Sequence, residues 1–316
     1  MATVSHVING TRPVSPETAA KVWQAIRELD YHPNAVARSL RTRTTHVIGV
    51  VVSDITNPFF ATLVRGAEDA AIAAGYSLIV CNSDEDPDKE NLYVDMLRRR
   101  RMDGLLIAPV RDGGSPAIKA LARRGMPFVF IDRRARDIRA DAVLSDNVGG
   151  ARMATQHLVE RGHERIGIVL GIPGATTTEE RYAGYRRALE EAGIPEDGRL
   201  VAYGEYRVRG GMRCAQEFLE LNDPPTAIFS TNNLMTLGVL KALFSRRIRV
   251  PEEMAVVGFD DLEWAEMAHP PLTVVTQRPY EIGHRAAELL LERLGGYQGE
   301  PREVRVPVEL IVRGSA

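Results

Sequence analysis

From Thr45 onward, short β-rich apolar runs alternate with amphipathic stretches along the chain. Val47–Ser53, Ser77–Cys81, Gly104–Ala108, Phe128–Ile131 and Ala142–Ser145 are predicted strands. Ile166–Leu170, Leu200–Tyr203, Ala227–Ser230, Ala255–Phe259, Thr273–Thr276 and Val304–Ile311 continue the series. Helical spacing fills most intervals, as in Pro58–Ala74, Asn91–Arg100, Gly149–Arg161, Glu180–Ala192 and Tyr280–Leu294. Gly75, Gly125, Gly162 and Gly193 stand where helices must end, and glycine supplies the left-handed cap that turns the chain back. Strands separated by helices read as βαβ units, hence parallel sheets covered by helices. The strands outnumber one comfortable open sheet, so the expectation is an α/β fold with two doubly wound parallel-sheet lobes. Ligands of such sheets bind beyond the carboxyl ends of the strands, which places a cleft between the lobes.

The first 45 residues follow a different pattern. Ser15-Pro16-Glu17 combines a capping serine, proline at the first helical position and an acid at the positive dipole end. The predicted helix runs to about Asp30, with Val22, Ile26 and Leu29 on one face. Ahead of it, Ala2–Asn9 also has helical spacing, with Thr3, Ser5, His6 and Asn9 opposite its apolar side chains. Such small hydrogen-bonding groups suit base edges and phosphates, although the pattern alone favours a solvated polar face.

Composition narrows the class. With 44% hydrophobic and 26% charged residues, the chain is an ordinary globular protein. No apolar run approaches a bilayer span, and no basic start with an apolar stretch marks a secretory signal, so a cytoplasmic protein is expected. Cys81 and Cys214 lie far apart without metal-ligand spacing, and Cys81 is expected to be a buried, inert thiol. Net charge is −2, yet residues 1–46 hold six basic groups (Arg12, Lys21, Arg27, Arg38, Arg41 and Arg43) against three acidic ones. A basic head on an acidic body fits a protein of which only the head meets phosphate.

Three ordered runs carry a family resemblance: Thr3-Val4-Ser5-His6-Val7-Ile8-Asn9, Val14-Ser15-Pro16-Glu17-Thr18, and Tyr31-His32-Pro33-Asn34-Ala35-Val36-Ala37-Arg38-Ser39-Leu40. They resemble the head of the lac-repressor family, nearest in pattern to its ribose and purine repressors. The resemblance implies that Ala2–Asn9 is a recognition helix, with Ala2, Thr3 and His6 nearest the bases. It also implies that Asn34–Leu40 is a hinge helix with Leu40 as a minor-groove wedge. Seven residues are too few for an isolated helix, so the hinge would order against DNA and a dimer mate. Arg38, Arg41 and Arg43, with no acid nearby, would neutralise phosphates. The family's head has a further helix before the recognition helix, whereas this chain begins at Met1, so the head is partial and the true start is expected upstream.

The resemblance extends over the remainder. Asp54-Ile55-Thr56-Asn57-Pro58-Phe59-Phe60, Met102-Asp103-Gly104-Leu105-Leu106, Gly162-His163-Glu164-Arg165-Ile166, Gly258-Phe259-Asp260-Asp261 and Pro270-Pro271-Leu272-Thr273 are similar to the family's effector domain and to type I periplasmic sugar-binding proteins. The implied organisation is a head at 1–33, a hinge helix and linker at 34–45, an N-terminal lobe at 46–146 with 277–301, and a C-terminal lobe at 147–276 with 302–316. Crossovers would lie near Asn147, Thr276 and Pro301.

Cleft candidates follow from position. Asn57, Phe59 and Phe60 come just after the first strand, where aromatics either stack on a sugar or pack in the core. Asp132 and Arg133 close the fourth strand, suited both to adjacent hydroxyls and to a structural ion pair. Arg181, Asn232, Asp260 and Gln277 each sit past a strand or at a helix start, where caps are common. Together with Tyr206 they match the pattern by which ribose-binding relatives hold their sugar. The resemblance therefore implies a homodimeric repressor, binding palindromic operator DNA under control of a pentose such as ribose. A purine effector is the lesser alternative, since Asp132-Arg133 suits a polyol better than a flat base. A stand-alone cytoplasmic sugar-binding protein is the rival from another class. No dinucleotide loop, P-loop, serine elbow or paired-histidine motif is present, so no enzyme, cofactor or metal is expected.

Overall fold

The computed structural model describes residues 2–9, 12–30 and 44–316, and it divides into two units, 1–45 and 46–316. In the first unit, α1 (Ala2–Asn9) precedes α2 (Pro16–Glu28). Ser15 caps α2 by accepting from the Thr18 backbone N–H at 3.4 Å, with Pro16 opening the helix and Glu17 in its first turn. Val4 of α1 and Val22, Ala25, Ile26 and Leu29 of α2 line a shallow apolar groove. Ala2, Thr3, Ser5, His6 and Asn9 all fall on α1, with Thr3 exposed and His6 half-buried. Asn34, Arg38, Leu40 and Arg41, and with them the expected hinge helix, lie outside the described residues.

The second unit holds two six-stranded sheets. The first contains β1 (Val47–Val52), β2 (Ser77–Asn82), β3 (Gly104–Ile107), β4 (Phe128–Ile131), β5 (Asp141–Ser145) and β11 (Glu303–Val306), in the order β11-β5-β4-β3-β1-β2. The second contains β6 (Ile166–Leu170), β7 (Val201–Tyr203), β8 (Ala227–Ser230), β9 (Ala255–Phe259), β10 (Thr273–Thr276) and β12 (Glu309–Ile311), in the order β12-β10-β9-β8-β6-β7. Every pairing is parallel except β10 with β12. The central strands are apolar on both faces because helices cover both. Val50, for example, pairs with Val80 and Leu106 and is wholly buried.

Helices α3 (Pro58–Ala73), α4 (Pro87–Arg99), α5 (Pro116–Arg123) and α11 (Pro279–Leu294) clothe the first sheet. The second is covered by α6 (Asn147–Glu160), α7 (Thr176–Glu191), α8 (Val208–Leu219) and α9 (Asn233–Ser245), with the short α10 (Glu263–Met267) beyond. Gly75, Gly125, Gly162 and Gly193 take φ of 78°, 63°, 89° and 69°, the left-handed turn expected of them. Cys81 and Cys214 are both buried, and burial pushes both thiols up, Cys214 to about 11.

One expectation fails. Val304–Ile311 is not a single strand: Glu303–Val306 runs parallel to β5 in the first sheet, while Glu309–Ile311 runs antiparallel to β10 in the second. Pro307 stands between them, and proline cannot donate to a sheet ladder. The third crossover therefore follows Val306 rather than Pro301, and residues 302–306 belong with the N-terminal lobe.

Candidate effector cleft

All ten candidates (Asn57, Phe59, Phe60, Asp132, Arg133, Arg181, Tyr206, Asn232, Asp260 and Gln277) line one narrow cavity between the lobes. Each follows the carboxyl end of a strand, where backbone groups no longer paired in the ladder turn into loops and helix caps. Asp54, Glu85, Thr177, Arg207 and Leu234 line it too, and sequence reasoning missed these five. The signal was available for two of them. Glu85 follows β2 as Asp132 follows β4, and Arg207 is the neighbour of Tyr206.

On the N-terminal lobe, Asn57 caps α3, its Oδ1 accepting from the Phe59 N–H at 3.0 Å. Phe59 and Phe60 meet edge to face, ring centroids 5.1 Å apart. Both have rings in the core and reach the cavity wall, so packing and lining are combined. Arg133 is almost wholly buried. Its Nη1 and Nη2 donate to the two Glu85 oxygens at 2.8 and 2.7 Å, and its Nε donates to Asp132 at 3.2 Å. The expected pairing of Asp132 with Arg133 is present, and Glu85 adds a bidentate fork that locks the guanidinium plane. The Glu85 and Asp132 charges hold Arg133 firmly protonated despite burial.

On the C-terminal lobe, Arg181 donates from Nε to Asn147 Oδ1 at 2.9 Å and from Nη1 to the Thr231 carbonyl. Its guanidinium carbon lies 3.8 Å from the Phe259 ring centroid. Tyr206 fixes its hydroxyl between Thr177 and Thr178, at 2.8 and 2.7 Å. Its ring can lie there because residue 171 is glycine, where a Cβ would fall 2.0 Å from the Tyr206 Cζ. Asn232 caps α9 through the Leu234 and Met235 N–H groups. At the second crossover Gln277 joins the lobes, accepting from Ser145 and donating to Asp260.

Electrostatically the cavity is a mixed shell. Burial pushes the Asp132 and Asp260 carboxyls up, opposed by Arg133 and Arg181 at Asp132 and by Arg181 at Asp260. Asp132 (φ 63°), Tyr206 (φ 56°) and Asp260 (φ 73°) all hold left-handed backbone, uncommon for such residues and concentrated here at the cavity wall. Carboxylates that accept, guanidinium groups and amides that donate, and flanking aromatics form a shell suited to a small polyhydroxylated molecule. Among the described residues, no cluster of histidine, cysteine, aspartate and glutamate is placed to hold a metal ion.

Comparison with known proteins agrees with this architecture. Residues 45–313 match the model for periplasmic binding proteins and the sugar binding domain of the LacI family, and residues 1–34 match that for bacterial regulatory proteins of the lacI family. The HTH-type transcriptional repressor PurR of Aliivibrio salmonicida is 36% identical over 314 residues, 99% of this chain and 94% of that one. A LacI family transcriptional regulator from Enterococcus faecium with bound ribose superposes with a TM-score of 0.76 at 32% identity, covering 85% of this chain and 98% of that one. A lac repressor dimer bound to operator and the anti-inducer ONPF gives a TM-score of 0.88 at 27% identity, covering 99% and 94%. With both the head and the two-lobed sensing domain matched, this chain belongs to the LacI family of bacterial regulatory proteins, whose activity is DNA binding and not enzyme catalysis.

Proposed function

We propose that this chain is a cytoplasmic repressor that binds a two-fold operator as a homodimer and releases it when a pentose such as ribose fills the cleft. The observation that carries this reading is the convergence of ten polar and aromatic residues, following seven separate strands, on one cavity. Asp132 and Asp260 offer acceptors, while Arg181 and Asn232 offer donors. Phe59, Phe60 and Tyr206 offer rings for the C–H face of a sugar. The ribose-bound relative lends support, because its sensing domain superposes over almost its whole length.

Two exposed apolar patches support a dimer. Edge strand β2 leaves Ile79 and Val80 each 40% exposed, and on the other lobe Phe244 is 86% exposed beside an apolar hollow lined by Leu240 and His269. A second copy covering both would explain their exposure. The α1 face carrying Thr3 and His6, with Ala2, Ser5 and Asn9 on the same helix, would meet the major groove. Asn34, Arg38, Leu40 and Arg41 would meet phosphate and the minor groove.

A purine base is the second reading, favoured by the likeness of the head to the purine repressor's. A titration of the chain with ribose and with guanine, followed by mobility shift on a palindromic duplex selected from a random library, separates the two. Ribose should alter operator affinity roughly 5- to 150-fold, the range of ordinary allosteric coupling. Heat from guanine and none from ribose would overturn the pentose assignment.

A further inference from the structure

Asp84 and Glu85 are consecutive acids after β2, both in left-handed backbone (φ 55° and 59°), and they serve different lobes. Glu85 grips Arg133 inside its own lobe. Asp84 accepts from Arg207 of the other lobe, Nη2 to Oδ1 at 2.7 Å, and its carbonyl accepts from the same nitrogen at 3.1 Å. Arg207 Nη1 also reaches Asp54 at 3.3 Å. Arg207 in turn follows Tyr206, whose ring centroid lies 5.1 Å from the Arg133 guanidinium carbon. The result is a closed circuit: Arg133 to Glu85, along the chain to Asp84, across the cleft to Arg207, along the chain to Tyr206, and back across the cleft to Arg133. Two of its three non-covalent links bridge the lobes.

We propose that Asp84 and Arg207 are the clasp of this cleft, positioning residues that hold the lobes together over an effector gripped by Arg133 and Tyr206 and so set its residence time. The inference rests on the proposed effector reading. Asp84 lies outside the cavity lining, and Arg207, which lies on it, acts through its pair with Asp84. Separating the lobes breaks the Asp84–Arg207 pair and the stacking of Arg133 on Tyr206 together, because left-handed turns at both ends tie each clasp residue to a pocket residue. The Arg207 and Asp84 side chains are 41% and 44% exposed, so salt reaches the clasp, unlike the buried pair inside. A partly screened pair of this kind suits a latch that must also open.

The test is the release of ribose by stopped flow, at low and high sodium chloride, from the wild-type chain, Arg207→Gln, Asp84→Asn and the double variant. Asp84→Asn should release ribose roughly fivefold faster at low salt, with association within about twofold, and Arg207→Gln should release it at least as fast because it also loses Asp54. The double variant should be no faster than Arg207→Gln alone. Wild-type release should quicken with salt toward the Arg207→Gln rate, while the variant stays flat. Unchanged release, or additive effects in the double variant, overturns the clasp. X-ray scattering of the ligand-free chain gives a readout independent of effector identity. Salt should expand the wild type, and Arg207→Gln should already be expanded; equal radii throughout also overturn it. Absence of any ribose binding by the wild type would strike the pentose assignment alone, and scattering would still decide the clasp.

Discussion

Asn57 and Asn233 exchange two side-chain amide hydrogen bonds across the cleft, each Nδ2 donating to the other's Oδ1 at 3.1 and 2.9 Å. Both residues are buried, one at the start of α3 and the other at the start of α9, so each lobe presents a helix entrance to its counterpart. Separating the lobes would break the pair, which sits at the edge of the cavity that Asn57 lines.

Replacing Asn233 by Ala should therefore act on closure. The Asn57 amide would lose its acceptor in a buried place, an effect of about 1–3 kcal/mol on the closed state. Ribose affinity measured by calorimetry should fall roughly 5- to 150-fold on that basis. The melting temperature should change more with ribose present than without it. Undiminished affinity would remove the pair from the closing mechanism.

Asp260 sets function against stability. Burial raises its carboxyl pKa, so this group favours the folded form most below its unfolded-state value, and the benefit disappears as pH climbs through the raised one. Wherever the carboxylate is charged, its burial is destabilising. Asp260→Asn keeps the acceptor for Gln277 and tolerates the left-handed backbone, so it should melt higher than wild type at pH 7.5. Each kcal/mol gained is worth about 2–4 °C in a chain of this class, and the advantage should shrink as pH falls through the raised pKa. Calorimetric ribose binding should be lost or sharply weakened in the same variant. A lower melting temperature at pH 7.5 would contradict the burial argument.

Phe244 tests the dimer. Its ring is 86% exposed at the end of α9 and contributes little to its own lobe. Phe244→Asp should shift sedimentation from dimer toward monomer at micromolar concentration while leaving ribose affinity within about twofold, because the substitution lies outside the cavity. An intact dimer would place the interface elsewhere.

Leu40→Ala tests the hinge segment. Removing a wedge that unstacks a base step should weaken operator binding in a mobility-shift titration and leave ribose binding untouched. Equal operator affinity would deny Leu40 its assigned role.

Much of the cleft was legible in advance, for a local reason. A residue just past a parallel strand must lie at the sheet's carboxyl edge, so Asp132, Asn232 and Asp260 could be placed from strand boundaries alone, whereas Arg181 lies in the second turn of α7. Resemblance to ribose-binding proteins then singled them out. Glu85 and Arg207 escaped because their importance comes from partners far along the chain. Glu85 meets Arg133 48 positions later, and Arg207 meets Asp84 123 positions earlier.

The same division runs through the fold. Alternation of apolar strands with helices, the serine–proline start of α2 and the glycines that end helices are written in neighbouring residues, since hydrophobic period and backbone stereochemistry act over a few positions. Tertiary structure alone decided that Glu303–Val306 and Glu309–Ile311 join different sheets, because each strand was chosen by the open edge available to it: β5 for one and β10 for the other. It also decided that the Arg133 guanidinium is held by Glu85, since two charges removed from water must find each other wherever the chain has carried them.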